Sequence, residues 1–428
     1  MISVAALACT GPRAGQPAAA GPTVATPASS APAAVPAPGA AATPGPSGGA
    51  TSVFQTLLAR EAKTLSKRAL ALPDGRATGE IEAAADPVMK REGKAWTITV
   101  PIGSDIPVTC ALYDEPIDGA ASLVRLADLI KKAATSVTVQ ALAPTDAGVI
   151  GETAYLAAVL TYTKPTPKGL LGGQMKMFVR PDLDASVMCF HDEVGYAESF
   201  KRVAHGLAAS LKVKSPSAAP PQFVDIQITS IGPTPVGFDR RTVHLEAGGT
   251  RLDQVTSCTL LPRTAKDLEP SDHVGIERID RDGRLLTVDT VSAHGEELEY
   301  EYKLTRQRRT RVYSYKGKQS GKDVTGKFKS KEDKGLASSS LIARRLLDEL
   351  VTGKAAQLTV EEYHPGISPQ PFDVVYKRTG GDAHDVTMRL GQLEANGHLD
   401  ERGITDRVSI PIAGITMIQR RVFVRGNP

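Results

Sequence analysis

Aromatic residues make up only 5% of this 428-residue chain, and Trp96 is its one tryptophan. A protein built around stacked bases or sugar rings needs more ring surface, so the composition argues against that class of function. No segment approaches the roughly 20 apolar residues of a membrane-spanning helix. Gly-x-Gly-x-x-Gly, the Walker loop and the Gly-x-Ser-x-Gly elbow are all missing, so nothing points to dinucleotide, nucleotide or acyl-transfer chemistry. The eight histidines are scattered without Cys-x-x-Cys or His-x-x-x-His spacing, and neither a metal nor a cofactor is expected. Asp280-Arg-Asp-Gly283 lacks the remaining ligands of a calcium loop and reads as a hairpin turn. Charge is nearly balanced, with 51 basic and 47 acidic side chains and a net charge of +4. That is too little, taken globally, to imply a nucleic-acid partner.

What is present starts with residues 11–50, thirty of which are Ala, Pro or Gly, with Arg13 as the one charge. Such a tract has too few large apolar groups to offset the entropy of ordering it, and reads as a tether over residues 10–51. Extended, it reaches on the order of 100 Å. Ahead of it, Ala6-Leu7-Ala8-Cys9 resembles a bacterial lipobox, with Ala6 where the family usually has Leu. The resemblance implies that residues 1–9 are a signal remnant and that Cys9 is acylated, a membrane anchor contributing roughly 0.8 kcal/mol per buried methylene. Thr10, rather than Asp, then implies export to the cell envelope, at the periplasmic face of the outer membrane.

Of the four cysteines, Cys9, Cys110, Cys189 and Cys258, acylation of the first leaves three. Cys110 and Cys189 each fall on an expected strand of one domain and are the pair expected to form a disulfide, which leaves Cys258 as a buried free thiol.

About 375 residues follow the tether, enough for two domains. A Pro/Ser/Ala cluster at 215–221 marks a linker between 52–214 and 222–428. In the first half, Ser52-Val-Phe-Gln55 is a capping box, Trp96–Val100 and Val108–Leu112 alternate as strands, and Asp118 can cap a helix. Strands at 136–142, 154–162, 173–180 and 185–191 and a closing helix follow. This element order resembles the PsbP/Mog1-type sandwich, a binding fold. The second half is nearly all alternating strand, with one helix whose stripe is Ala343, Leu346, Leu347 and Leu350. A long antiparallel sheet curled over that helix resembles the half-barrel of periplasmic lipoprotein carriers. The expected fold class is α+β in two domains: an antiparallel sheet with flanking helices, then a long curled antiparallel sheet packed on one helix.

Two side-chain clusters are candidates for function. Cys189-Phe-His191-Asp192-Glu193 puts a thiol and an imidazole on the same face of a strand, the ingredients of a thiolate nucleophile. The second is a run of twelve basic residues from Lys303 to Lys334 against three acids. Arg306, Arg308, Arg309, Arg311, Lys316, Lys318, Lys322, Lys327, Lys329 and Lys331 are the expected polyanion contacts, with tyrosines and Phe328 interleaved. On a hairpin with a glycine-rich tip around Gly317 and Gly321 they present a positive ribbon to anionic lipid, lipopolysaccharide or cell-wall polymer. The expected function is therefore that of an envelope-tethered, non-catalytic binding or scaffold protein with an unidentified protein partner. Its competitors are a lipid or lipoprotein carrier using the curled sheet, and a thiol-dependent enzyme at Cys189 and His191.

Overall fold

The computed structural model describes residues 53–428, apart from 105, 134–135, 168, 215–218, 265–266, 296, 309 and 413–414. Cys9, the tether and most of the linker lie outside the described residues. Over the described residues the chain is mostly β, with three antiparallel sheets and few helices. This corrects the balance of the expected α+β class.

The chain enters through a short helix α1 (Val53–Leu58), then a hairpin of β1 (Ser66–Ala71) and β2 (Ala77–Ala83), joined later by β10 (Lys212–Val213). The central sheet of the first half has seven strands. Their order is β3 (Val88–Glu92), β4 (Ala95–Gly103), β5 (Ile106–Tyr113), β9 (Ser186–His191), β8 (Gly169–Arg180), β7 (Thr153–Thr166) and β6 (Thr138–Ile150). In β7 and β8 both faces are buried, which requires apolar side chains in both phases of the alternation. Tyr155 and Phe178 join Trp96, Ile98 and Val100 against Phe200, Val203 and Leu207 of helix α3 (Ala197–Ser210). Their neighbours Leu156, Met177 and Val179 point the other way, toward Ala120, Leu123 and Ala127 of helix α2 (Gly119–Ala133).

The second half is a fourteen-stranded antiparallel sheet made of two meanders. The first runs through β11 (Phe223–Ile231), β12 (Thr234–Leu245), β13 (Arg251–Thr264), β14 (Asp267–Ile279), β15 (Leu285–His294), β16 (Glu297–Arg306), β17 (Val312–Gln319) and β18 (Lys322–Lys329). The second runs through β19 (Gln357–Glu362), β20 (Phe372–Arg378), β21 (Asp385–Leu390), β22 (Leu393–Leu399), β23 (Thr405–Ile412) and β24 (Ile415–Gly426). They join where β11 pairs with β24, so β18 and β19 are the two edges. The edges are drawn together: Glu361 of β19 accepts from the Lys331 N–H, 2.9 Å away, just beyond β18. Helix α4 (Ser339–Arg345) and a π-helical turn (Leu346–Val351) connect them. Ser338 caps α4 by accepting from Leu341 N–H, and Gly353 at φ 77° ends the segment. Ile342, Leu346 and Leu350 lie in one cluster with Leu358, Val360, Val374, Val386, Val408 and Ile410.

The linker region is bridged by close packing. Val224, Ile226, Phe238 and Leu260 of the second half complete the cluster begun by α2, β7 and β8. Asp272 of β14 accepts from the backbone N–H groups of Ala120 and Ala121 at 2.9 and 2.8 Å, capping α2 from the other half of the chain. Asp118, expected to cap this helix, instead turns its carboxylate to Arg125.

Candidate functional site

Cys110 and Cys189 face each other across β5 and β9 and form a disulfide. A sulfur committed to that bond is not a nucleophile, which removes the thiol-enzyme reading. The rest of the cluster is structural too. His191 is buried, with Nδ1 2.9 Å from the Pro107 carbonyl, and burial lowers its pKa, so it stays neutral. Asp192 accepts from the Tyr162 hydroxyl at 2.6 Å. Cys258 is a free buried thiol beside Asp272; burial and that carboxylate push its pKa well up, away from the reactive thiolate.

The basic run divides into two groups. Arg306 is mostly buried and spans Asp280 at 3.2 Å and the Lys334 carbonyl at 2.7 Å. Arg311 pairs with Asp333 and Lys331 with Asp373. These three are engaged with acidic side chains at the sheet edge. The second group lies on the β17–β18 hairpin. Strand alternation sends Tyr313 and Tyr315 into the core, and Lys316 and Lys318 out. Lys327 lies opposite Ser314 and Lys329 opposite Val312, so four lysines share one outward face. Among the described residues none of the four forms an ion pair, although Asp323 and Glu301 sit on either side of Lys318. Lys322 and Arg308 are exposed elsewhere, and Arg309 lies outside the described residues. The interleaved aromatics are core, with Tyr300, Tyr302 and Tyr313 almost fully buried. Gly317 is a strand residue rather than part of the tip: its backbone runs so close to Glu301 that no Cβ would fit. The tip is Ser320–Gly321, both with positive φ.

Inside the curl of the second half is a cavity of about 130 Å³ that the sequence reading missed. Its wall combines β11 to β16 with the α4 start and the segment after β19. His273, Gly275 and Glu277 alternate inward from β14, and His273 Nδ1 meets the Tyr300 hydroxyl at 3.2 Å. Burial lowers His273 to about 4. Glu362 accepts from the Tyr376 hydroxyl at 2.6 Å and lies 2.9 Å from His364 Nε2. Arg241 forks onto Asp253 and also reaches Ser340 at 3.0 Å. Arg421 forks onto Asp225. Among the described residues, no three His, Cys, Asp or Glu side chains converge closely enough to hold a metal ion.

No protein-family model and no curated protein matches the sequence. One solved structure that resembles the chain is a β-barrel-like protein of the domain of unknown function DUF1849 from Brucella abortus. The likeness covers 50% of this chain and 100% of that one, at 13% identity and a TM-score of 0.37.

The sequence held one signal for the cavity: the inward trio His273-x-Gly-x-Glu277 and the pair Glu362-x-His364 put polar groups at positions where a dry sheet would carry apolar side chains. The two surfaces differ in what they can do. The lysine face can attract phosphate and carboxylate groups, whereas the lumen can enclose a molecule of a few atoms.

Proposed function

We propose that this chain is a non-catalytic binding protein of the cell envelope, anchored through acylated Cys9 on its Ala/Pro/Gly tether and contacting anionic lipid headgroups with its lysine face. The observation that carries the reading is the set of four outward lysines, Lys316, Lys318, Lys327 and Lys329, on one face of the β17–β18 hairpin, without ion-pair partners among the described residues. Each lysine near an anionic membrane surface contributes about 1 kcal/mol, so four act together as a second attachment beside the lipid. The Cys110–Cys189 disulfide supports an oxidising compartment. The two-domain reading, with the curled sheet packed on α4, supplies the frame that holds the hairpin outward.

The carrier reading has less support. The cavity inside the curl is about 130 Å³, with charged side chains on its wall, well below the roughly 300 Å³ at which ligand pockets usually begin. An acyl chain there would have to displace buried ion pairs.

The test is co-sedimentation of the chain, with Cys9→Ser to remove the lipid, on vesicles of phosphatidylglycerol or of phosphatidylcholine. The expected result is binding to the anionic vesicles alone, weakening with salt, and falling by about 100-fold or more in the variant with all four lysines changed to glutamine. Equal binding to both vesicle types, or no loss in the variant, would overturn the reading. The lysines would then serve only to keep the edge strand β18 from pairing with another copy.

A further inference from the structure

A second pocket opens where the β14–β15 turn meets the start of β13, helix α4 and Pro428. Its volume is about 410 Å³, within the range of small-molecule sites. The turn is Asp280-Arg-Asp-Gly283, the segment that lacks the ligands of a calcium loop. Asp280 directs its carboxylate to the turn itself, accepting from the N–H groups of Asp282 and Arg284, both at 2.9 Å, and to Arg306. A Cβ on Gly283, which has φ 80°, would come within 3.1 Å of Leu341, so the turn lies close against α4. Arg281 crosses to the β12–β13 turn, where its Nε donates to the Gly248 carbonyl at 2.9 Å.

Five basic side chains line this pocket, Arg251, Arg281, Arg284, Lys334 and Arg344, against one acid, Asp282. Two of the five are engaged: Arg284 pairs with Glu332 at 3.4 Å, and Arg251 reaches the main-chain oxygen of Pro428 at 3.4 Å. Arg281, Lys334 and Arg344 are exposed and form no ion pair among the described residues. Acids on the neighbouring segments are matched elsewhere, Glu246 with Arg278, Asp280 with Arg306 and Asp333 with Arg311. Three cations against the Asp282 carboxylate leave two positive charges unmatched. Like charges gathered in one pocket repel, and an anion removes that repulsion.

The guanidinium groups of Arg281 and Arg344 present paired N–H donors that match phosphate oxygens. A phosphate monoester carries a charge of about −1.5 to −2 at pH 7, which balances the excess. Ser340 adds a hydroxyl to the wall; its oxygen accepts from Arg241 at 3.0 Å, which leaves its proton to donate. Apolar side chains on the wall are confined to Leu341 and Pro428, too little surface for acyl chains. We infer that this pocket binds a small phosphate monoester with a hydroxyl-rich body, its phosphate held by Arg281, Lys334 and Arg344. A soluble sugar phosphate and a phosphatidate headgroup share the monoester, and the polar wall favours the soluble source. The site shares no residue with the lysine face of β17–β18, and neither depends on the other.

Isothermal titration of the full Cys9→Ser chain at pH 7 with glucose 6-phosphate, glucose and monomeric dihexanoyl phosphatidate tests the inference. Glucose 6-phosphate is expected to bind saturably and more weakly as salt rises, and glucose not at all. Arg281→Gln and Arg344→Gln, both at exposed positions, should each weaken the sugar phosphate by about tenfold. The variant with the four hairpin lysines changed to glutamine should bind it unchanged. The ranking of the two esters names the source: tighter glucose 6-phosphate supports the soluble guest, and tighter phosphatidate overturns it. No saturable binding, equal binding of glucose, unchanged affinity in either arginine variant, or an equal loss in the four-lysine variant would overturn the assignment.

Discussion

His273 and Glu277 lie on one strand and face one cavity, and burial acts on them in opposite directions. For Glu277 the ordinary value is 4.5 and the folded value about 8. Between these the folded chain holds a proton that the unfolded chain has released, so this group's contribution to stability falls as pH rises through that window. His273 drops from 6.5 to about 4; in that range the unfolded chain binds the extra proton, so stability is lost as pH falls. The account therefore predicts that the stability of Glu277→Gln relative to the parent rises from pH 5 to pH 8 and then levels. Thermal melts across that range measure it, and a constant difference would mean that the folded carboxyl titrates normally. At this scale the sequence was readable where side chains follow the usual sidedness of a sheet. Cys110 and Cys189 sit inside alternating apolar runs, and two such strands can be neighbours. Glu277 and Thr290 escaped notice because they point into a polar lumen, where inward position and apolar character no longer coincide. Tyr363 lies just past the end of β19, where alternation gives no direction.

Among the elements, the long strands β4, β5, β7, β8 and β9 were legible because at least one face is apolar and buried. β1 and β3 were not, since their residues are mostly exposed and carry no alternation. The alternating stretch 386–393 is divided between β21 and β22 by Gly391, which at φ 62° makes the turn between them. Helix α2 shows a contact that no local rule reveals, because its N-terminal N–H groups are capped by Asp272, about 150 residues away in sequence. Asp272→Ala leaves two buried donors without acceptors at the contact between the halves. A loss of about 2–4 kcal/mol is expected, with Asp272→Asn, which keeps one acceptor, costing about half as much. Urea unfolding midpoints measure both, and a loss below about 0.5 kcal/mol for the alanine variant would show that water satisfies the helix end.

For the molecule as a whole, the seven-stranded sheet and the curled sheet share a buried cluster, so the halves meet through a core rather than through a linker alone. The sequence pointed to two halves, because composition changes near 215–221, but it hid this contact: outward apolar residues such as Val224, Ile226 and Phe238 look the same whether they face a partner domain or their own lumen. The shared core fixes where the lysine hairpin stands relative to the first half, and the central claim is that this hairpin is the surface that meets the envelope. Hydrogen exchange of the Cys9→Ser chain with and without phosphatidylglycerol vesicles tests it most directly. The account predicts slowed exchange over residues 312–329, reversed by salt. Unchanged exchange there, with protection at the exposed Leu170–Leu171 tip of the β7–β8 hairpin instead, would contradict it.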